Sequence, residues 1–278
     1  MIYVTGLKGL IGQSLQERWS NKSFIPVDSR NSDFHWKKTE LTPSLVHLGW
    51  KSIPTTSDTK KGREESQNDI ANSIGLISEF LSMHPDGRVL FLSTAGDMYR
   101  KQVEDIANEY SPVKPRTNYG RAKLDVEEYI KKTCKHAIIL RCANAWGGVV
   151  SRNRRNGFVD KLIYNSIHCI TTTIYMNLDS VISLVHLSDI SDSIMRGIEV
   201  LSQEAEMTEV INISTESKSL SSIIAIVSPL ANSEIHYAGG PISIVKIDST
   251  KATRMLAWKP RYYLNKENIR DIIDNYKR

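Results

Sequence analysis

The sequence has few cysteines and no long apolar segment. Its three cysteines, Cys134, Cys142 and Cys169, fall at spacings that match no metal site, and so sparse a count argues against a disulfide framework. No apolar run approaches the roughly 20 residues that a membrane-spanning helix needs. The N-terminus begins with the strand-like MIYVTG, which lacks the charged and apolar regions of a signal peptide. These features predict a cytoplasmic protein with neither a metal nor a membrane partner.

The charge balance excludes another class of function. The chain has 36 lysines and arginines against 31 acidic residues, a net charge of +5, and no run of basic residues marks a surface for nucleic acid. A mild positive excess is compatible with an anionic small substrate. At 278 residues, the chain can form one large α/β unit or a nucleotide-binding domain with a smaller lobe.

Short apolar strands alternate with helices over the first half of the chain. Strands are predicted at 2–4, 24–27, 45–48, 89–93 and 137–141, and helices over about 65–83 and 117–133. This alternation predicts an α/β fold with a Rossmann-like, doubly wound parallel sheet. We expect a dinucleotide-binding domain of residues 1–145 plus 185–212, and a smaller C-terminal substrate lobe of residues 146–184 plus 213–278.

A glycine-rich turn, TGLKGLIG at residues 5–12, follows the first strand and opens the first helix. Glycines there permit a tight turn and close approach of the backbone to a pyrophosphate, which the free amides of the helix start would bind. Asp28, at the end of the next strand, would bind an adenosine ribose, which favours NAD; Arg30 nearby leaves NADP open. The cofactor contacts predicted here are Gly6, Gly9, Leu10, Ile11, Gly12, Asp28, Ser29 and Arg30.

Tyr119 and Lys123 are four residues apart near the start of a predicted helix, so their side chains share one face. A lysine ammonium beside a phenol favours the phenolate and lowers the phenol's pKa from about 10. Tyr119 could then act as an acid–base catalyst, while Lys123 also bonds the nicotinamide ribose. Thr94, at the carboxyl end of a strand, would hold a substrate oxygen. We predict these three residues as catalytic.

Taken together, the motifs resemble the extended short-chain dehydrogenase/reductases, specifically the NAD-dependent epimerase/dehydratase family that acts on nucleotide sugars. In the first half of the chain, TGLKGLIG is similar to the family's TGxxGxxG motif, HLGW at 47–50 to HLAA or HLAW, and Tyr119 with Lys123 to YxxxK. In the second half, LRCAN at 140–144 is similar to LRxxN, VINI at 210–213 to xxNIG, and residues 251–260 to KA…LGWKP. The resemblance implies further cofactor contacts at Leu48, Gly49, Trp50, Lys123 and Cys142, and substrate contacts at Thr94, Ala95, Tyr119, Asn144 and Arg152.

Two family arginines that typically hold the substrate diphosphate are missing. Ile182 occupies the position of the first arginine, and the position of the second lies near Gly240. Losing them would forfeit strong charge-assisted hydrogen bonds. Arg152, with two arginines close by in the sequence, could replace them, or this segment could be an ordinary solvated loop.

The resemblance implies a 4-epimerase that uses Tyr119, Lys123 and Thr94. A nucleotide-sugar 4-ketoreductase and a reductase of a small carbonyl compound are alternatives, and a non-catalytic NAD(P)-binding sensor or scaffold is the rival of another class. Dehydration is disfavoured because Gly96-Asp97 lacks the acidic pair that follows the catalytic threonine of 4,6-dehydratases. Helices 65–83 and 117–133 could pair across a two-fold axis in a homodimer, or their apolar positions could be core stripes.

Overall fold

The computed structural model describes residues 1–28, 34–37, 39, 41–99, 106–148, 157–204, 206–230 and 234–276; of the predicted contacts, Ser29, Arg30 and Arg152 lie outside these ranges. Its elements in chain order are β1 (Ile2–Thr5), α1 (Leu10–Arg18), β2 (Phe24–Val27), β3 (Ser44–His47), α2 (Lys60–Met83), β4 (Arg88–Thr94), β5 (Ile106–Ala107), α3 (Asn118–Thr133), β6 (His136–Cys142), β7 (Asn144–Trp146), α4 (Phe158–Ile167), β8 (Thr172–Ile174), β9 (Val181–His186), α5 (Leu187–Gln203), β10 (Met207–Ile213), β11 (Glu216–Ser219), α6 (Leu220–Val227), β12 (Ile235–Tyr237), β13 (Lys246–Ile247), α7 (Thr250–Leu256) and α8 (Lys266–Tyr276), with a short 3-10 helix at Ser228–Leu230.

Six strands form a parallel sheet in the order β10-β6-β4-β3-β1-β2. Successive strand residues point to opposite faces, so in β4 Leu90 and Leu92 enter one core cluster while Val89 and Phe91 enter another. Helices α1, α5 and α7 cover the first face, and α2 and α3 cover the second. The predicted doubly wound parallel sheet is confirmed.

The apolar positions of α2 and α3 are used inside the subunit. Leu76, Ile77 and Phe80 of α2 and Val126 and Ile130 of α3 are all buried in the core cluster on the second face of the sheet. These are the core stripes that the sequence left as one alternative. The homodimer stays a prediction.

The C-terminal part of the chain contributes to two cores. Trp146 and helices α4, α6 and α8 form a separate apolar cluster, in which Leu162, Ile223 and Ile272 are buried. Helix α7 and Trp258 instead pack in the core of the main sheet, where the Trp258 indole N–H donates to Asp189 O at 2.8 Å. The division into two domains at the predicted boundaries stays a prediction, and residues 250–258 belong with the main sheet by packing.

The carboxyl ends of the central strands meet at one edge of the sheet. Thr5 is in register with His47, and Thr94 with Cys142. The loops that follow these strands carry most of the motif residues, so the strand register brings them together. Within the described part of the chain, no helix combines the length and apolarity needed to cross a membrane.

Candidate active site

A cleft of about 360 Å³ lies at this edge of the sheet. It gathers predicted residues from five separate stretches of sequence. Those that line it are Gly6, Gly9, Leu10, Ile11, Gly12, Leu48, Trp50, Thr94, Tyr119, Lys123, Cys142 and Asn144. Among the described residues, no group of three or more His, Cys, Asp or Glu side chains could hold a metal ion.

The glycine turn has the close packing that its sequence predicts. Gly6 has φ +72°, and a Cβ there would lie 2.7 Å from Gly49 N; a Cβ on Gly12 would lie 2.4 Å from Gly6 O. At Gly9 a Cβ would approach only Gly6 O, at 3.2 Å, among the described atoms within 4 Å. No side chain caps α1 at Gly9, so the first amides of the helix remain available to an anion. This cradle fits a dinucleotide pyrophosphate.

A buried network holds the loop after β3 against this turn. Thr5 Oγ1 accepts hydrogen bonds from Leu48 N (3.0 Å) and Gly49 N (2.8 Å). The Thr5 hydroxyl donates in turn to His47 Nδ1 at 2.7 Å. The ring proton of His47 is therefore on Nε2, which donates to Ser73 Oγ at 2.8 Å. Burial lowers the pKa of His47 to about 3, so the ring is neutral, as this arrangement requires.

Burial, and not Lys123, decides the pKa of Tyr119 in this structure, contrary to the predicted lowering. The Lys123 ammonium donates to Leu92 O at 2.6 Å and lies 6.0 Å from the centre of the Tyr119 ring. Burial raises the pKa of Tyr119 well above its usual value, and the charge of Asp97 raises it further. Burial also lowers the pKa of Lys123 to about 7. Both shifts have the same cause, because burial removes water from the Tyr119 hydroxyl and the Lys123 ammonium and thereby disfavours the charged form of each.

The side chain of Thr94 interacts with that of Tyr119. Thr94 ends β4, and its hydrogen bond to Tyr119 opposes the rise in the phenol's pKa. Tyr119 lies in the first turn of α3, which Thr117 caps by accepting from Gly120 N at 3.2 Å. The strand end and the capped helix therefore hold the two hydroxyl groups at one point of the cleft.

Three predicted contacts do not line the cleft. Ala95 has no exposed surface, packs with Met98 and Tyr99, and donates its amide to Cys142 O at 2.8 Å. Its prediction as a substrate contact is wrong, since a side chain without exposed surface cannot touch a ligand. Gly49 supports the glycine turn from behind, and Asp28 is exposed after β2 outside the cleft lining.

The positions of the missing arginines are filled by packing. Ile182 packs against the apolar cluster of the C-terminal part, and Gly240 lies where a Cβ would meet Tyr175 O at 2.0 Å. Among the described residues that line the cleft, Lys123 is the one cation. No described lining residue therefore supplies a second positive charge for a diphosphate.

Sequence reasoning missed Asp69, a buried carboxylate on α2 behind the cleft. It accepts from Lys51 N (3.0 Å) and Ser52 N (2.7 Å), and Ser52 Oγ in turn accepts from the Trp50 indole N–H at 2.8 Å. Asp69 thus sets the orientation of the Trp50 ring. A signal existed, because Asp69 and Ser73 are polar residues at a spacing of four on the face of α2 that continues into the apolar stripe.

Asp160 was also missed. It lies in the first turn of α4, lines the cleft, and accepts hydrogen bonds from Gly147 N at 2.8 Å and Gly148 N at 3.3 Å. Burial raises its pKa to about 7. Strand–helix alternation is weak after residue 145, and no local pattern there indicates that this acid is buried.

Comparison with known proteins agrees with this geometry. Residues 2–214 match the family model described as the NAD dependent epimerase/dehydratase family. Two similar solved structures are UDP-glucose 4-epimerase of Thermotoga maritima with UDP-glucose (20% identity, TM-score 0.82, covering 99% of this chain and 98% of that one) and UDP-glucuronic acid 4-epimerase of Bacillus cereus with UDP-glucuronic acid and NAD (20%, 0.81, 99% and 98%). A third is RMD of Pseudomonas aeruginosa with NADPH (16%, 0.78, 99% and 98%). No curated protein matches the sequence significantly.

Proposed function

The chain belongs to the NAD dependent epimerase/dehydratase family, and we propose that within this family it is a 4-epimerase of a nucleotide-linked sugar. One observation carries the proposal: Tyr119, its hydrogen-bond partner Thr94, and Lys123 line the same cleft as the uncapped start of α1. An acid–base hydroxyl and a pyrophosphate cradle in one cleft suit hydride chemistry on an alcohol or ketone.

The residues at the amino end of α1 would hold the cofactor. The amides of Leu10 and Ile11 would bind its pyrophosphate, and Gly9 leaves the space that a Cβ would fill. When bound, NAD supplies a hydride acceptor and the positive charge of its oxidised nicotinamide ring. We favour NAD over NADP, because the Asp28 carboxylate at the end of β2 would repel a 2′-phosphate.

Tyr119 would carry the proton. Its phenolate would take the proton of the sugar 4-hydroxyl as the bound cofactor oxidises carbon 4, and would return the proton when the 4-ketone is reduced again from the opposite face. Thr94 donates a hydrogen bond to the same sugar oxygen. Because burial raises the pKa of Tyr119, the phenol ionises only when positive charge arrives nearby. The oxidised nicotinamide ring of bound NAD would supply that charge, and Lys123 would bond the nicotinamide ribose, as the sequence predicts.

The choice of epimerase rests on likeness and on the contacts of Asp97. Two of the similar structures are 4-epimerases with UDP-sugars. Dehydration needs an acidic pair in the cleft, whereas Asp97 is buried, accepts from Thr117 Oγ1 at 2.6 Å and pairs with Arg116. Its carboxylate is therefore committed to the start of α3.

Two rivals are each favoured by a specific observation. A 4-ketoreductase would reduce a 4-keto sugar and consume NAD(P)H, and the similarity to RMD with NADPH supports it. A non-catalytic NAD(P)-binding sensor is supported by the position of Lys123, which donates to Leu92 O and lies 6.0 Å from the centre of the Tyr119 ring.

Turnover assays separate the three. The chain would be incubated with NAD and UDP-, dTDP-, GDP- and CDP-sugars, and separately with NADPH and the 4-keto forms of these sugars, and products resolved by chromatography and proton NMR. A 4-epimerase interconverts the C4 isomers with no net change in nicotinamide absorbance, a reductase consumes NADPH, and a sensor binds cofactor without product. The absence of any isomer change with all four classes would contradict the proposal.

The cytoplasmic location stays a prediction, and light scattering at low concentration would test the homodimer.

A further inference from the structure

Asp160 is a buried carboxyl group that the proposed chemistry does not use. Only 1% of its surface is exposed, although it lines the cleft. Within the described residues, its polar contacts are two backbone amides, Gly147 N to Oδ1 and Gly148 N to Oδ2, and no cation pairs with it. Burying a carboxylate without a countercharge is unfavourable, and the pKa of about 7 reflects that burial outweighs the two amides.

The two amides belong to a turn whose first residue has to be glycine. Gly147 has φ +105°, and a Cβ there would lie 2.1 Å from His186 Nε2. A Cβ on Gly148 would lie 3.1 Å from both Leu10 Cδ2 and Leu187 Cδ1. Paired glycines have the greatest backbone freedom of any dipeptide. Something outside the turn must therefore hold it in place.

We propose that Asp160 is a positioning residue for the dinucleotide end of the cleft, because it holds the Gly147–Gly148 turn against Leu10, the first residue of α1. The inference rests on the proposed function, which puts the cofactor pyrophosphate at the start of α1. In this arrangement Asp160 ties helix α4 to the turn that lies beside Leu10, at the start of α1. Without it, cofactor binding has to order the turn, and that ordering weakens affinity.

Binding of NAD to the full chain, measured by isothermal titration calorimetry, tests this role. We expect Asp160→Ala to weaken binding by about 5- to 20-fold, the effect of losing charge-assisted hydrogen bonds. Asp160→Asn keeps one acceptor, so Gly147 N stays bonded while Gly148 N faces an amide donor. It should recover part of the affinity, and its Gly148 amide should exchange hydrogen faster than in the wild type.

Asp189 provides a matched control. It is buried in the first turn of α5 and accepts from Arg261 N and Tyr262 N, both at 3.1 Å, but it does not line the cleft. Asp189→Asn should lower the melting temperature without changing the Kd of NAD by more than about 2-fold, since its hydrogen bonds support structure away from the cofactor.

Each outcome decides for or against the inference. A wild-type chain that binds NAD together with an Asp160→Ala variant that binds equally well overturns the inference and leaves the proposed function standing. A wild-type chain that binds neither NAD nor NADP overturns both. Should Asp160→Ala not fold, Asp160→Asn carries the test, and wild-type affinity with wild-type exchange at Gly148 overturns the inference.

Discussion

The Lys123 ammonium nitrogen lies 3.8 Å from the centre of the Trp50 indole ring, while donating to Leu92 O. The centre of a second ring, that of Phe91, lies 4.7 Å from the same nitrogen. Contacts of this kind stabilise a desolvated ammonium by about 2 kcal/mol. They only partly offset burial, which still lowers the pKa of Lys123 to about 7. The lysine proposed for catalysis is therefore held at a cost in stability.

Replacing Lys123 with Met should stabilise the protein at pH 6. The folded-state pKa of Lys123 is lowered to about 7 from 10.5, so between these values the unfolded chain binds more protons and the wild-type free energy of unfolding rises with pH. Lys123→Met removes that dependence and should add about 1–3 kcal/mol below pH 7, as for other buried charges replaced by apolar groups. Urea unfolding of both proteins at pH 6 and 9 measures this.

The control for that comparison is Lys131→Met, at an exposed position of α3. It should change the unfolding free energy by less than about 0.5 kcal/mol at either pH. A wild type and a Lys123→Met variant with the same pH slope would show that Lys123 stays charged in the folded protein.

Replacing Tyr119 with Phe should abolish epimerisation while leaving NAD binding intact. The change removes only the proton carrier and its hydrogen bond to Thr94, so we expect a loss in kcat of about 10²- to 10⁴-fold. Tyr110→Phe, at a tyrosine that is 86% exposed, is the matched control and should retain full activity. Rates come from the NMR assay and affinity from calorimetry. Substantial turnover by Tyr119→Phe would assign the proton transfer to another group.

Adding one methyl group to Gly12 should damage both the fold and cofactor binding. A Cβ there would meet Gly6 O at 2.4 Å and Leu7 Cα at 2.5 Å, and such overpacking costs about 1–3 kcal/mol. Gly75→Ala is the control, since this residue lies on α2 and, apart from its chain neighbours and the nearby helix backbone, no described atom comes within 4 Å of the place its new methyl group would take. It should stabilise the helix by about 0.5–1 kcal/mol. Thermal melts and NAD titrations of both variants test the contrast.

Sequence patterns were sufficient for those parts of the site that depend on local geometry. Gly6 and Gly12 follow a strand and open a helix, and Tyr119 and Lys123 share a helical face, so each motif was visible within about ten residues. The patterns did not predict the properties that depend on burial, such as pKa values. The pKa of Tyr119 depends on how much water the phenol and Lys123 lose on folding, and that follows from the packing of α3 on β4. Asp160 was invisible for the same reason.

Removing one partner of the buried ion pair behind the cleft should lower the free energy of unfolding strongly, whereas replacing both partners with apolar residues should lower it little. Glu127 and Arg141 are 0% and 2% exposed, and the guanidinium donates to both carboxylate oxygens, with Nη2 to Oε2 at 2.6 Å. Ser93 Oγ and the Tyr99 hydroxyl complete the network. Removing one partner leaves an uncompensated buried charge, so Arg141→Met should lower the unfolding free energy by about 3–5 kcal/mol.

The double variant Glu127→Leu with Arg141→Met leaves no charge unpaired and should recover most of that loss, since apolar replacement of a buried pair is often neutral or better. Urea unfolding of the wild type, both single variants and the double variant gives the coupling energy. Single and double variants that lose stability additively would mean that the pair is hydrated in solution. Because Ser93 precedes Thr94 on β4, we also expect the double variant to fold yet turn over more slowly than wild type, with its affinity for NAD unchanged.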